Sequence, residues 1–212
     1  GDKWVFLNTD ISREKTIRFG SRFHASISVA TQLNEAFIVE GGSSIEQECL
    51  RKAAAPRSLR YKRQEQIIFP YYYDDKNTLM RYDENTFKSR FPIAYEHLSA
   101  FKDKLTKRDS DKSSHWYEYG RSQALSHLNQ EKLLLSTVIT NAVEVYYLAA
   151  DDIPYSGIYI TVSDGKSSLQ DALSILQSNA FLEYIFNQGL SVSGKSKRIT
   201  CKDINDYQFE EI

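Results

Sequence analysis

Trp116-Tyr117-Glu118-Tyr119-Gly120-Arg121-Ser122-Gln123 combines three large aromatic rings with a glycine, a guanidinium and an amide in one short run. The planar fork of an arginine fits the acceptor pair of guanine, and a glutamine can pair with two edge atoms of adenine. Tyrosine and tryptophan add stiff contact area with a polar tip. The run therefore predicts part of a surface that faces DNA, with Trp116, Arg121 and Gln123 as contacts. Two alternatives stay open: Arg121 binds a carboxylate of its own domain, and Trp116 packs in the core.

Charge is distributed unevenly along the chain. The net charge is -1, whereas a free-standing nucleic-acid-binding domain is usually strongly basic. Six basic and no acidic residues occur from Arg51 to Arg63, and four basic and no acidic residues from Lys195 to Lys202. These clusters are either solvated faces or contacts to phosphate oxygens. The predicted phosphate contacts are Lys62, Arg63, Arg108, Lys195, Lys197 and Arg198.

Length and cysteine content limit the class of protein. A chain of 212 residues is one large domain or two small ones and can bury a core without disulfides or metals. Cys49 and Cys201 are far apart and have no ligand partners at metal-site spacing, which favours a reducing cytoplasm. No apolar stretch approaches the ~20 residues of a membrane span, so we expect a cytoplasmic protein without a membrane partner. The first residue is Gly1, from which we expect a processed product or part of a longer protein.

Strand and helix patterns are mixed along the chain. Alternating or continuous apolar runs predict two strands in 23–39, one at Ile67-Ile68-Phe69 and three in 132–162. Apolar residues at helical spacing predict one helix over about 89–107. A second helix is predicted to begin near Ser168 with a capping box, bend at Ser178-Asn179 and end near Gly189. A short strand is predicted at Arg198-Ile199-Thr200. The fold class is therefore α+β, with mixed strands and two main helices.

One motif matches a nucleotide-binding pattern. Residues 189–196, Gly-Leu-Ser-Val-Ser-Gly-Lys-Ser, fit the phosphate-loop pattern G-x-x-x-x-G-K-[ST] letter for letter. That motif requires a strand before it and a helix after it. Here a helix is predicted before it and a basic, β-branched segment after it. The favoured interpretation is a loop that carries Lys195, Lys197 and Arg198 towards phosphates, and nucleotide binding is the less favoured alternative.

Signatures of catalysis are missing from the sequence. It contains no Gly-x-Gly, no Pro-Pro pair, no His-x-x-x-His and no Cys-x-x-Cys. A dinucleotide or adenosyl site, the base-binding loop of an amino-group DNA methyltransferase and a metal site are therefore not indicated. His97 is assigned to the surface. We expect a binding domain without its own catalytic residues.

The ordered series of short motifs resembles the C-terminal target-recognition region of TaqI-like and Eco57I-like adenine-specific DNA methyltransferases of restriction–modification systems. The similarity begins near Phe23. The motifs that carry it are 26–31 with 34–39, 66–71 (Gln-Ile-Ile-Phe-Pro-Tyr), 91–98, 105–108, 116–123, 173–181, 189–200 and 203–209. Two positions depart from the family pattern: Ser28 replaces a frequent glycine, and Ser193-Gly194-Lys195 replaces a double glycine.

The resemblance implies a recognition domain separated from its catalytic partner. Residues 1–22 would be a lead-in from an N-terminal methyltransferase domain, and 23–212 the recognition domain. Double-stranded DNA would be the partner, and S-adenosylmethionine the cofactor of the parent protein only, with or without a fused nuclease. Tyr72, with Tyr73, would support the interface. A protein-interaction or specificity-subunit module remains the alternative.

Overall fold

Two apolar runs, 132–135 and 158–162, form the centre of the fold in the computed structural model, which describes residues 15–211. The α+β class predicted from the sequence is confirmed. The strands are β1 Thr16–Arg18, β2 Phe23–Ile27, β3 Ile38–Glu40, β4 Leu50–Ala54, β5 Glu65–Ile68, β6 Tyr71–Tyr73, β7 Leu79–Arg81, β8 Lys132–Leu135, β9 Val138–Ile139, β10 Val145–Leu148, β11 Ile153–Pro154, β12 Ile158–Val162, β13 Leu190–Ser191, β14 Lys197–Arg198 and β15 Gln208–Glu210. The α-helices are α1 Asn34–Phe37, α2 Pro56–Arg60, α3 Glu84–Arg90, α4 Pro92–Ser99, α5 Lys102–Thr106, α6 Leu169–Leu176, α7 Asn179–Gln188 and α8 Cys201–Asp206.

The central sheet has the strand order β10-β8-β12-β2 and is antiparallel throughout. Both of its faces are covered. Leu134 and Tyr159 point into a first core, whereas their chain neighbours Leu133, Leu135 and Ile158 point into a second. Burial on both faces explains why β8 carries three consecutive leucines, Leu133 to Leu135, without alternation.

The first core lies under a second sheet, of order β11-β4-β5-β3, and helices α3 to α5. In this sheet β4 and β5 are antiparallel, and β11 pairs with β4 in parallel. Burial of Ile67 and Ile68 on β5 confirms the predicted short apolar strand. Aromatic rings fill much of the core, including Phe87 and Tyr117, which stack at 4.9 Å between centroids.

The second core is closed by α6, α7 and α8. The Ser168 side chain caps α6 in a capping box with Asp171, as predicted. The predicted bend at Ser178 is also confirmed, because its hydroxyl accepts from the Phe181 N–H and caps a new helix. Apolar side chains of both helices, among them Leu176 and Phe181, are fully buried. Both caps could be predicted from the sequence because each capping side chain bonds to backbone groups within four residues.

Other segments differ from the sequence prediction. The helix predicted over 89–107 is three short helices, because Phe91 leaves helical geometry (φ -130°, ψ 63°) before Pro92 and a second break occurs at Phe101. Within 23–39, residues Asn34–Phe37 form a helical turn, and the second strand begins only at Ile38. The predicted strand at 198–200 ends at Arg198, since Thr200 caps α8 together with Asp203.

The region before Phe23 is partly inside the described structure. Residues 1–14 of the predicted lead-in lie outside the described residues. Thr16–Arg18 pairs with Gln208–Glu210, and Phe19 is buried in the second core. The folded body thus includes residues that precede Phe23, while a catalytic domain before it stays a prediction. None of the helices described in 15–211 has the length and apolar character needed to cross a membrane.

Candidate functional site

The aromatic run at 116–123 is largely interior. Tyr117 and Tyr119 are fully buried, and their hydroxyls donate to the carbonyls of Tyr82 (2.7 Å) and Ile68 (2.8 Å). Burial raises the pKa of both phenols, well above the ordinary value for Tyr119. The prediction of a DNA-facing surface is therefore wrong for residues 117–120. Tyrosine suits this position because each hydroxyl finds an acceptor inside the core.

Trp116 lies at the edge of this interior segment. It is half-buried, and its Nε1 donates to a carboxylate oxygen of Glu84 at 2.8 Å. The Lys102 ammonium lies 4.7 Å from the centroid of the indole ring, within cation–π distance. The structure thus places Trp116 against α3 and α5, in agreement with the packing alternative. A contact between Trp116 and DNA stays a prediction.

Arg108 and Arg121 both bind acceptors of their own domain. The Arg108 guanidinium donates to four backbone carbonyls, those of Leu105, Thr31, Trp116 and Glu118. Burial lowers its pKa. Arg121 binds the carboxylates of Asp109 and Asp111 at 2.7 and 3.2 Å, and its hydrogen bond to Asp111 raises its pKa. Arg121 therefore binds carboxylates of its own domain, as the alternative interpretation proposed. Arg108 has a structural role that its sequence context did not reveal.

Tyr72 and Gln123 are both exposed and belong to different segments of the chain. Tyr72 is on the β6–β7 hairpin, and its ring packs at 4.8 Å against that of Tyr82. Gln123 begins a 3₁₀ turn and lines a depression with His24, His127 and Cys201. Burial, followed by the nearby His127, lowers the pKa of His24.

His97 is only part-buried, and its Nε2 lies 3.0 Å from the Ala36 carbonyl. Within residues 15–211 no group of three metal-ligating side chains is assembled.

Lys62 and Arg63 follow the C-terminus of α2. The Lys62 N–H bonds to the Leu59 carbonyl and the Arg63 N–H to the Ser58 carbonyl, which closes the helix. This closure holds Lys62 at φ 53°, a left-handed conformation that favours glycine. Both side chains are exposed and line a wide, open depression with Lys52. The two predicted contacts are thus brought together, with a third cation that sequence reasoning left unassigned.

Lys195, Lys197 and Arg198 lie on the β13–β14 hairpin, which pairs with β9. The hairpin exposes Leu190 (73%) and Val192 (46%) beside these cations. It follows α7 directly and leads into β14, so the phosphate-loop pattern at 189–196 lacks the strand-then-helix context. This segment is a cation-bearing hairpin, as the favoured interpretation of the motif required.

The two cationic segments leave the same end of the central sheet. Glu144, next to β10, binds Arg60 of α2 at 2.9 Å, and Thr140, next to β9, bonds to Ser196 of the hairpin at 2.9 Å. Thr140 and Glu144 are four residues apart, so their Cα atoms are at most about 14 Å apart. Arg121 lies at the same end of the central sheet, because its backbone forms a β-bridge with Ala30, three residues beyond the end of β2.

We call this cationic set the basic surface: Arg57, Lys62, Arg63, Lys195, Lys197 and Arg198. Within the described part of the chain, none of its members forms an ion pair. By contrast, Arg18, Arg60, Arg81 and Arg90 each bind a carboxylate. The near-zero net charge thus conceals a region whose cations form no ion pairs among the described residues.

Comparison with known proteins relates this fold to a DNA-modifying enzyme. No protein-family model and no curated protein matches the sequence. A solved structure of the Type IIL restriction-modification enzyme MmeI in complex with DNA superposes with a TM-score of 0.61 over 86% of this chain, at 9% sequence identity. This chain spans 24% of the length of that MmeI chain. The chain therefore has the fold of one part of a restriction-modification enzyme.

Proposed function

We propose that this domain binds double-stranded DNA and recognises its target sequence for a restriction–modification DNA methyltransferase. The observation that carries the proposal is the fold similarity to MmeI, an enzyme whose structure was solved in complex with DNA. The finer assignment, to an adenine-specific TaqI-like or Eco57I-like enzyme, rests on the sequence motifs. In that assignment an N-terminal domain binds S-adenosylmethionine and flips the target adenine, in a bacterial cytoplasm.

The basic surface supplies the contact to the DNA backbone. Its members are exposed or half-buried and lack carboxylate partners among the described residues, so no ion pair has to break when a phosphate arrives. Thr140 and Glu144, which contact the two cationic segments, have Cα atoms at most about 14 Å apart. Both segments therefore lie within one turn of B-DNA, about 34 Å. Phosphate contacts of this kind set orientation and affinity without reading sequence. Arg108 and Arg121 are left out of this set because their donors already have internal acceptors.

Salt dependence of duplex binding tests the proposal. Each lost phosphate contact lowers the slope of log affinity against log salt by about 0.9, so Lys62→Ala and Arg198→Ala should each weaken binding to any duplex and flatten the slope. Lys166→Ala is the matched control. It is exposed and follows β12 at Val162, whereas α2 packs near Gly157 at the other end of that strand.

Two results would contradict the proposal. One is the absence of salt-sensitive duplex binding by the unmodified chain, which would point to a protein-interaction module. The other is an equal slope for Lys62→Ala, Arg198→Ala and Lys166→Ala, since the basic surface would then make no phosphate contact. Fluorescence anisotropy between 50 and 200 mM salt, roughly the range over which backbone contacts dominate, provides the measurement.

A further inference from the structure

The depression beside Lys62 has amide side chains at its centre. Gln66 of β5 lies between Lys52 on β4 and Val39 on β3, directly opposite both in register. Gln47 and Gln64 also line this depression, and the Gln66 Nε2 is 3.5 Å from the Gln47 Oε1. Three amides and three cations, Lys52, Lys62 and Arg63, therefore converge on one open concavity.

An acceptor in this depression has no partner. The Oε1 of Gln66 is buried and accepts no hydrogen bond from the residues that the structure describes. Among the described residues, Ser43 Oγ is the other buried side-chain polar atom without a hydrogen-bond partner. Ser43 follows Gly42, which lines the same depression. A buried acceptor without a donor is unfavourable, and such groups are rare in folded proteins. An unpartnered Gln66 acceptor in a residue that lines an open concavity points to a donor supplied by a ligand.

We propose that this depression receives the edge of a base pair, and that Gln66, together with Gln47, reads it. The inference rests on the proposed function. An amide offers one acceptor and one donor, which complement the N6 amino group and N7 of adenine. The exposed Gln47 side chain turns from the Gln66 amide towards the base, so that both amides face its edge. Lys62 and Arg63, on the rim, bind the flanking phosphates.

The carboxylates in the depression agree with a base edge rather than a phosphate at its centre. Glu40 and Glu65 both line it. Glu65 accepts a hydrogen bond from the Tyr155 hydroxyl, which fixes one carboxylate in place. Negative charge repels a phosphate but accepts hydrogen bonds from base amino groups. Glu40 and Glu65 lie on strands of the sheet, whereas Lys62 and Arg63 follow α2, so the duplex is oriented with its nucleobases towards the sheet.

Selection of bound duplexes from a randomised pool tests the inference. The full chain is compared with Gln66→Leu, which keeps a similar volume and removes the unpartnered carbonyl. We expect Gln66→Leu to lose discrimination at one base pair by about 5- to 150-fold. Its affinity for unselected duplex and its salt slope should not change. Gln177→Leu, an exposed amide at the α6 terminus, is the control and should keep the full preference.

The outcomes separate this inference from the proposed function. If the unmodified chain binds no duplex at all, the proposed function fails. If it binds with a preference that Gln66→Leu retains, or binds with no preference, DNA binding stands and the reading role of Gln66 is overturned. Should Gln66→Leu not fold, Gln47→Ala replaces it, because Gln47 is exposed. Gln47→Ala should lower discrimination at the same base pair, and an unchanged preference would reject the inference.

Discussion

The Arg81 guanidinium clasps the Glu118 carboxylate with two hydrogen bonds, from Nε at 2.8 Å and from Nη2 at 2.7 Å. The Glu118 side chain is only 2% exposed, whereas that of Arg81 is 41% exposed. The His115 N–H donates to the same carboxylate at 2.8 Å. A buried acid is thereby neutralised by a base that reaches in from the surface, and β7 is joined to the 115–118 turn. The hydrogen bond to Glu118 raises the pKa of Arg81.

This asymmetry predicts unequal effects of removing the two partners. Arg81→Met leaves a buried carboxylate without its cation and should lower the free energy of unfolding by about 3–5 kcal/mol. Glu118→Gln should cost less, about 1–2 kcal/mol, because the exposed Arg81 can return to water. The double variant should lose less than the sum of the two. Urea unfolding measures all three: equal losses for the two single variants would contradict the asymmetry, and an additive loss in the double variant would show that the pair is not coupled.

Local sequence signals made the helix caps and bends predictable, whereas contacts between residues far apart in the chain could not be predicted. The α6–α7 pair followed from Ser168 and Ser178, whose capping bonds lie within four residues. The helix that begins after Thr200 carries the same type of signal, Thr200-x-x-Asp203, and could have been found by it. Tyr117 and Tyr119 looked like surface residues because their acceptors, Tyr82 and Ile68, are 35 and 51 residues away.

The candidate site shows the same division. Positive charge without nearby acids marked Lys62, Arg63 and the 195–198 hairpin, whose cations are exposed or half-buried, since exposure depends largely on local composition; their contact with phosphates stays a prediction. The internal roles of Arg108 and Arg121 depend on how the chain folds back, with Thr31 lying 77 residues from Arg108. Gln66 carried no sequence signal at all, because its unpartnered oxygen is a property of the packed sheet.

Lys62 provides a test that separates stability from binding. Its left-handed backbone conformation (φ 53°) costs an L-residue about 1–2 kcal/mol, a strain that glycine avoids while paying more chain entropy on folding. Lys62→Gly should therefore raise the free energy of unfolding by about 0.5 kcal/mol. Lys62→Ala, which keeps the strain, should not raise it.

Both variants remove the same ammonium group. They should weaken duplex binding equally, so that Lys62→Gly is more stable and binds less tightly than the unmodified chain. Thermal or urea unfolding and anisotropy with one duplex provide the two measurements. A stabilised Lys62→Gly with unchanged DNA affinity would remove Lys62 from the basic surface, and the strain at this position would then have no functional explanation.

Lys132 predicts how stability depends on pH. This side chain is fully buried on β8, and its Nζ donates to the carbonyls of Gln130, Ala149 and Ala150 at 2.9–3.0 Å. Two of these bonds join β8 to the turn after β10, and the third holds the segment just before β8. Lys132→Met would leave these carbonyls without the donor and should lower the free energy of unfolding at pH 7 by about 2 kcal/mol or more.

Burial lowers the pKa of Lys132 from 10.5 to about 8, against the opposing effect of Asp152 and Asp151. Between these two values the unfolded chain holds a proton that the folded chain has released, so the contribution of Lys132 to stability rises with pH. The difference in unfolding free energy between the unmodified chain and Lys132→Met should therefore widen from pH 8 to pH 10. Exposed Lys166→Met serves as the control and should give a constant difference. If the difference in unfolding free energy is constant for Lys132→Met too, the Lys132 ammonium keeps its proton in the folded state. The three carbonyl acceptors would then outweigh the cost of burying its charge.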